Sequence, residues 1–125
     1  MTVSGASNVV KGNMLTNNFG DGITGGGQLD TISSNIVKNN QVSGIQIQLL
    51  SSTISGNLVM NNGSDGILAL SSTSGNTISG NTAMGNGDAF GGFDLVDLSM
   101  GTGTAMTANI WLNNKAQTRS PAQLL

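Results

Sequence analysis

The residues able to do chemistry in this chain are few. Its 125 residues include no His, Cys or Tyr, and the only cations are Lys11, Lys38, Lys115 and Arg119. Asp94 and Asp97 stand three apart, and paired carboxyls are the acid and base of glycoside hydrolysis. On a strand, however, residues three apart point to opposite faces. The spacing therefore predicts a solvated Asp94 and a turn-forming Asp97, with no catalytic residue. Asp21 and Asp65 each precede a Gly-Ile pair, the position where a turn carboxylate would meet calcium. Calcium takes about six to eight oxygens, so these acids would need turn carbonyls and Asn62 beside them. An Asp in a tight turn, tolerant of unusual backbone angles, is the simpler account. Met60 and Met84 offer thioethers that suit copper(I), or else fill irregular packing. No cofactor is required by any of these groups.

Composition narrows the classes further. Charged residues are 8% of the chain, against roughly 25% in average domains. Gly occurs 19 times and Pro once. Disordered chains combine low hydrophobicity with high charge, whereas here 37% of residues are hydrophobic and they recur in order. A net charge of −2 without a basic patch speaks against nucleic acid, whose phosphates must be neutralised. No apolar run is long enough for a membrane span. The N-terminal stretch lacks the basic-then-apolar pattern of a signal peptide.

The elements that would position any site come from a repeat. An apolar residue followed three positions later by Asn recurs as Val10–Asn13, Ile32–Asn35, Ile54–Asn57, Ile78–Asn81 and Trp111–Asn114. The first three spacings are 22, 22 and 24 residues. Other columns keep step: Asn18, Asn40, Asn62 and Asn86, then Ile23, Ile45, Ile67 and, two residues late, Phe93. Thr-Ile-Ser triplets alternate outward and inward as a strand with one buried face should. A period near 22 residues with about three short strands is one turn of a β-solenoid. The predicted fold is all-β, a right-handed parallel β-helix of about five coils spanning residues 1–125. Residues 1–8 form a partial first coil, and 85–125 form an irregular last coil and closing segment. The hand follows from the usual parallel crossover. Inward residues then stack as aliphatic columns, and the Asn columns as amide ladders. A leucine-rich repeat shares the period but wants Leu-x-x-Leu-x-Leu before its Asn.

Two outward surfaces follow from that register. Thr31, Thr53 and Thr77 with Ser33, Ser55 and Ser79 form a hydroxyl array. It suits an ice-binding face or simply the β-propensity of Thr. The Gly-Ile strand presents Thr24, Gln46, Leu68 and Asp94 in one outward column and Gly26, Gln48, Leu70 and Val96 in the next. Gln46, Gln48 and Asp94 are the candidates there for binding sugar hydroxyls. An ordinary solvated sheet face is the plainer alternative.

Asn76-Thr77-Ile78-Ser79-Gly80-Asn81 and Asn62-Gly63-Ser64-Asp65-Gly66-Ile67 resemble the repeats of pectin-lyase-like parallel β-helix proteins. They also resemble those of the NosD-type periplasmic copper-binding family. Phe93 to Asp97, Asn109 to Asn114 and Thr118 to Pro121 resemble the closing segment of secreted bacterial β-helix proteins. The resemblance implies an extracellular, cell-surface or periplasmic protein that acts on or binds polysaccharide. The lyases and epimerases of the group use His, Tyr or Arg, of which this chain has only Arg119 in its tail, and polygalacturonase-like Asp clusters are missing here. The reading is therefore a non-catalytic segment, structural or weakly polysaccharide-binding. The alternative is the C-terminal part of an enzyme whose active site lies upstream. Met1 to Ser7 resembles a strand end and turn rather than a cap. Solenoids need caps, which predicts an internal start and self-association through an open N-terminal coil.

Overall fold

In the computed structural model, which describes residues 1–125, sixteen short strands wind into three parallel sheets. The first sheet stacks β1 (Thr2–Ala6), β4 (Ile23–Gln28), β7 (Ile45–Leu50), β10 (Ile67–Ala69), β13 (Leu95–Asp97) and β16 (Arg119–Ser120). The second stacks β2 (Val9–Lys11), β5 (Thr31–Ser33), β8 (Thr53–Ser55), β11 (Thr77–Ser79) and β14 (Ile110–Leu112). The third stacks β3 (Met14–Thr16), β6 (Ile36–Lys38), β9 (Leu58–Met60), β12 (Thr82–Met84) and β15 (Lys115–Ala116). Each coil takes one strand from each sheet, and consecutive coils pair in parallel at about 4.8 Å.

Like stacks on like because the period is kept. Val10, Ile32, Ile54, Ile78 and Trp111 pair in sequence across the second sheet. Leu15, Val37, Val59, Ala83 and Ala116 do so across the third. These columns, with Ile23, Ile45, Ile67 and Leu95, fill one continuous core. Buried Leu124 also joins that core, from the short 3-10 turn at Ala122–Leu124.

Three ladders of polar side chains line the corners. In one, the main-chain N–H of Asn13 donates to Asn35 Oδ1, that of Asn35 to Asn57, that of Asn57 to Asn81, and that of Asn81 to Asn114. Each interior Nδ2 bridges two coils: Asn57 Nδ2 donates to Asn81 Oδ1 and to Ile32 O. The second ladder runs Asn18, Asn40, Asn62, Asn86 in the same way. In both, the main-chain N–H donates toward the C-terminal end. A side-chain bond replaces the strand bond that a corner breaks, so buried corner amides stay satisfied.

The third ladder is one that sequence reading missed. It runs Asn8, Asp30, Ser52, Asn76, Asn109. Its residue types differ, so no column of identical residues marks it. Asp30 accepts from Asn8 N and Nδ2 through Oδ1, but its Oδ2 is buried without a partner. At Asn76 in the same ladder an Nδ2 does the bridging, to Leu49 O and Asn109 Oδ1. Asp30→Asn is therefore expected to stabilise the fold by about 1 kcal/mol, since a buried unsatisfied group costs roughly 1–3 kcal/mol. Urea unfolding of the two proteins checks this; a lower midpoint for the variant would show that Oδ2 is well accommodated.

The fourth coil departs from the expected register. Leu95, not Phe93, pairs with Ile67, and Phe93 is 42% exposed. Asp94 O accepts from Ile67 N as Gly66 O does from Ile45 N, so Asp94-Leu95 takes the place of the Gly-Ile pair. The distance from ladder Asn to that pair is eight residues here, Asn86 to Asp94, against four in Asn62 to Gly66. The insertion is accommodated in the turn at residues 87–92, where Gly87, Gly91 and Gly92 all have positive φ. Gly92-Phe93 imitates the motif without occupying its place.

Candidate functional site

Asp94 is not on the outward face. It is buried, and its carboxylate takes the place after Asn86 in the second ladder. Oδ1 accepts from Asn86 N and Nδ2, and Oδ2 accepts from Gln117 N and Thr118 N. Four N–H donors hold one acceptor-only group where the series would otherwise need another Asn, and the Asp94 main-chain N–H donates onward to Thr118 Oγ1. Asp97 is buried too, against the expectation of a simple turn residue. It accepts from Ser99 N and Oγ, from Asn109 Nδ2 and from Trp111 Nε1. Both acids are thus spent on joining the last coil to the one before it. They face different partners and share no cleft.

Asp21 and Asp65 lie two coils apart and are not brought together. Each acts on the next coil instead: Ser43 N donates to Asp21 Oδ1, and Phe93 N to Asp65 Oδ1. Asp21 Oδ2 also accepts from the Thr24 hydroxyl. No three metal-ligating groups of the His, Cys, Asp or Glu type converge anywhere. Met60 and Met84 pair in register on the outer side of the third sheet, half-buried. The Thr and Ser columns of the second sheet are in register as expected. Val9 and Lys11 flank them on one side and Ile110 and Leu112 on the other.

The larger of two concave features lies on the first sheet. A groove of about 650 Å³ crosses the C-terminal halves of β1, β4 and β7. Gly5, Ala6 and Gly27 form one part of it, Gln28, Gln48 and Leu50 another, and Ser72 lies at its end. The strand register explains the shape. Ala6, Gln28 and Leu50 form one outward column, and Ser4, Gly26 and Gln48 the next. Side chains are missing at Gly5, Gly26 and Gly27, so bare backbone is left between flanking residues. At Gly27 this is obligatory: φ is +134° and an added Cβ would sit 1.9 Å from Gly5 O. At Gly26 it is not, because an added Cβ meets nothing within 4 Å. On the next coil, just after β10, the chain takes a turn closed by Thr73 N donating to Leu70 O. That turn absorbs the two extra residues of this coil and carries Ser72 to the groove's end.

Of the candidate sugar-binding residues, Gln48 lines this groove. Gln46 lies outward in the column Thr24, Gln46, Leu68, Val96, half-buried and outside the groove. Asp94 is removed from the face altogether. Gln28, Leu50 and Ser72 were not anticipated; the run Gly25-Gly26-Gly27 was the available signal, since no other coil has three adjacent glycines. A second, smaller groove of about 360 Å³ lies between Ser74-Gly75 and the 100–103 loop. No helix is long and apolar enough to cross a membrane.

No curated protein and no solved structure matches the chain significantly. The family model for the right-handed β-helix region matches residues 1–83. This is the stretch in which the 22-residue register, the Asn ladders and the Gly-Ile column are most regular, and the chain belongs to the right-handed β-helix family.

Proposed function

We propose that this chain is a non-catalytic β-helix segment of a secreted or cell-surface protein, and that the groove on its six-stranded face holds polysaccharide. The groove carries this reading. Its polar lining is two exposed amides and a hydroxyl, and no titratable side chain lines it. Such a surface can hold sugar hydroxyls but has no acid, base or nucleophile to cleave a linkage. The resemblance to polysaccharide-handling β-helix proteins supports the same reading and the location outside the cytoplasm. Lacking an aromatic platform, the groove should bind weakly, with Kd on the order of a millimolar.

Native affinity electrophoresis through a panel of soluble polysaccharides tests it. At least one polysaccharide should retard the protein without being shortened. Gly26→Phe should abolish the retardation, since the side chain has room at its root and projects beside Gln48. Unchanged retardation of the variant would place binding elsewhere. Absence of retardation throughout the panel would remove the glycan reading.

A further inference from the structure

Resting on that reading, we propose that the groove takes an uncharged, linear glycan lying along the solenoid axis, and that it discriminates against uronate chains. The direction comes from the lining. Gly5-Ala6, Gly27-Gln28, Gln48-Leu50 and Ser72 belong to four successive coils. The groove therefore crosses the strands instead of following one. Four layers at about 4.8 Å span roughly 14 Å, and the coil spacing is close to the length of one pyranose in an extended chain. The turn carrying Ser72 stands at one end of the groove.

The charge preference comes from where the ionisable groups are not. A carboxylate ligand is ordinarily met by Arg or Lys through charge-assisted bonds. Lys11 is on β2, Lys38 on β6 and Lys115 on β15, all on the other two sheets. Arg119 is on β16, at the far end of the first sheet, and its Nε donates to Ala122 O. None lines the groove, and the net charge of −2 repels anions. A uronate entering would lose hydration without gaining a counter-charge. Amide side chains each carry both donors and acceptors. Hydroxyls do too, so Gln28 and Gln48 match a neutral polyol and give an anion no advantage.

Isothermal titration of the full chain tests this, using oligosaccharides of glucose, xylose and mannose beside an oligogalacturonate of equal length. At least one neutral chain should bind at least about tenfold more tightly than the uronate, the equivalent of 1.4 kcal/mol. Its Kd should hardly change between about 0.01 and 0.15 M salt, where exposed charge pairs become screened. Gln28→Ala and Gln48→Ala should each weaken it about three- to tenfold, as expected for one lost hydrogen bond. Both residues are exposed, so thermal unfolding should not shift. If the uronate binds as tightly as any neutral chain and Gly26→Phe abolishes that binding, the glycan reading stands and the neutral preference is wrong. If no oligosaccharide binds, both are wrong.

Discussion

Asn57→Ala is expected to destabilise the fold by about 2–4 kcal/mol. Asn57 sits at the middle of a ladder, 1% exposed. Its Oδ1 accepts from Asn35 N and Nδ2, and its Nδ2 donates to Asn81 Oδ1 and Ile32 O. Truncation leaves the buried Asn35 N–H without an acceptor and weakens three other groups in the same corner. Water cannot replace them cheaply, because coils pack above and below. Asn57→Ser should cost less than the alanine change. Ser52 shows why: its Oγ accepts the Asp30 N–H at the equivalent position of the third ladder. Urea unfolding of the two variants reads the difference. Equal midpoints would mean that the ladder accepts water in place of side chains, and the account given of the corners would fail.

Gly44→Ala is the second large effect, and it arises from space instead of bonding. An added Cβ would lie 2.3 Å from Val59 Cγ1 and 2.8 Å from both Asn62 Nδ2 and Gly66 O. None of these can retreat freely. Val59 is fully buried, Asn62 is held in its ladder, and Gly66 O accepts from Ile45 N. Overpacking of this kind costs roughly 1–3 kcal/mol or more, and the displaced Asn62 adds its lost bonds. A fall in Tm on the order of 10 °C follows. Gly22 and Gly66 are confined in the same way, with the nearest atom at 2.3 Å in each. Gly26→Ala is the control: no atom lies within 4 Å of the new Cβ, so Tm should hold or rise slightly. If both glycines tolerate alanine equally in differential scanning calorimetry, the corner is looser than its geometry states.

These two effects also show why so much of the fold was legible. The Asn and Gly columns were visible because each position imposes the same demand in every coil. An amide must bridge two corners, and a Cβ must be absent where the ladder amide passes. Identical demands leave identical residues at a period of 22. The third ladder escaped notice because its demand is looser. It needs an acceptor for one N–H, which Asp30, Ser52 or Asn76 can each provide. Phe93 misled for a different reason. Gly92-Phe93 matches the pattern by type, yet four added turn residues move the strand on to Leu95, and only pairing with Ile67 reveals this. That slip also placed Asp94 outward, when it had taken the corner position and a place in a ladder. The groove was the least legible feature. It is made by side chains that are missing on neighbouring coils: Gly5 and Gly27 keep the 22-residue step, but Leu49 follows them, and a column of two residues is too short to stand out.

The common direction of the ladder bonds reaches beyond stability. Every interior coil receives from the coil before it what it passes to the coil after, through the same amide atoms at two corners and through a carboxylate, hydroxyl or amide oxygen at the third. A segment of 22 residues is therefore a self-consistent unit: duplicated or deleted between two regular coils, it leaves every donor facing an acceptor. The exchange changes hands at the last coil, where Asp94 receives through its carboxylate and its main-chain N–H passes on to Thr118 Oγ1, a hydroxyl in place of an amide. Length is thus the property that tandem duplication can most easily alter in this chain, while the groove, written in exceptions to the repeat, would not be copied along with the coils.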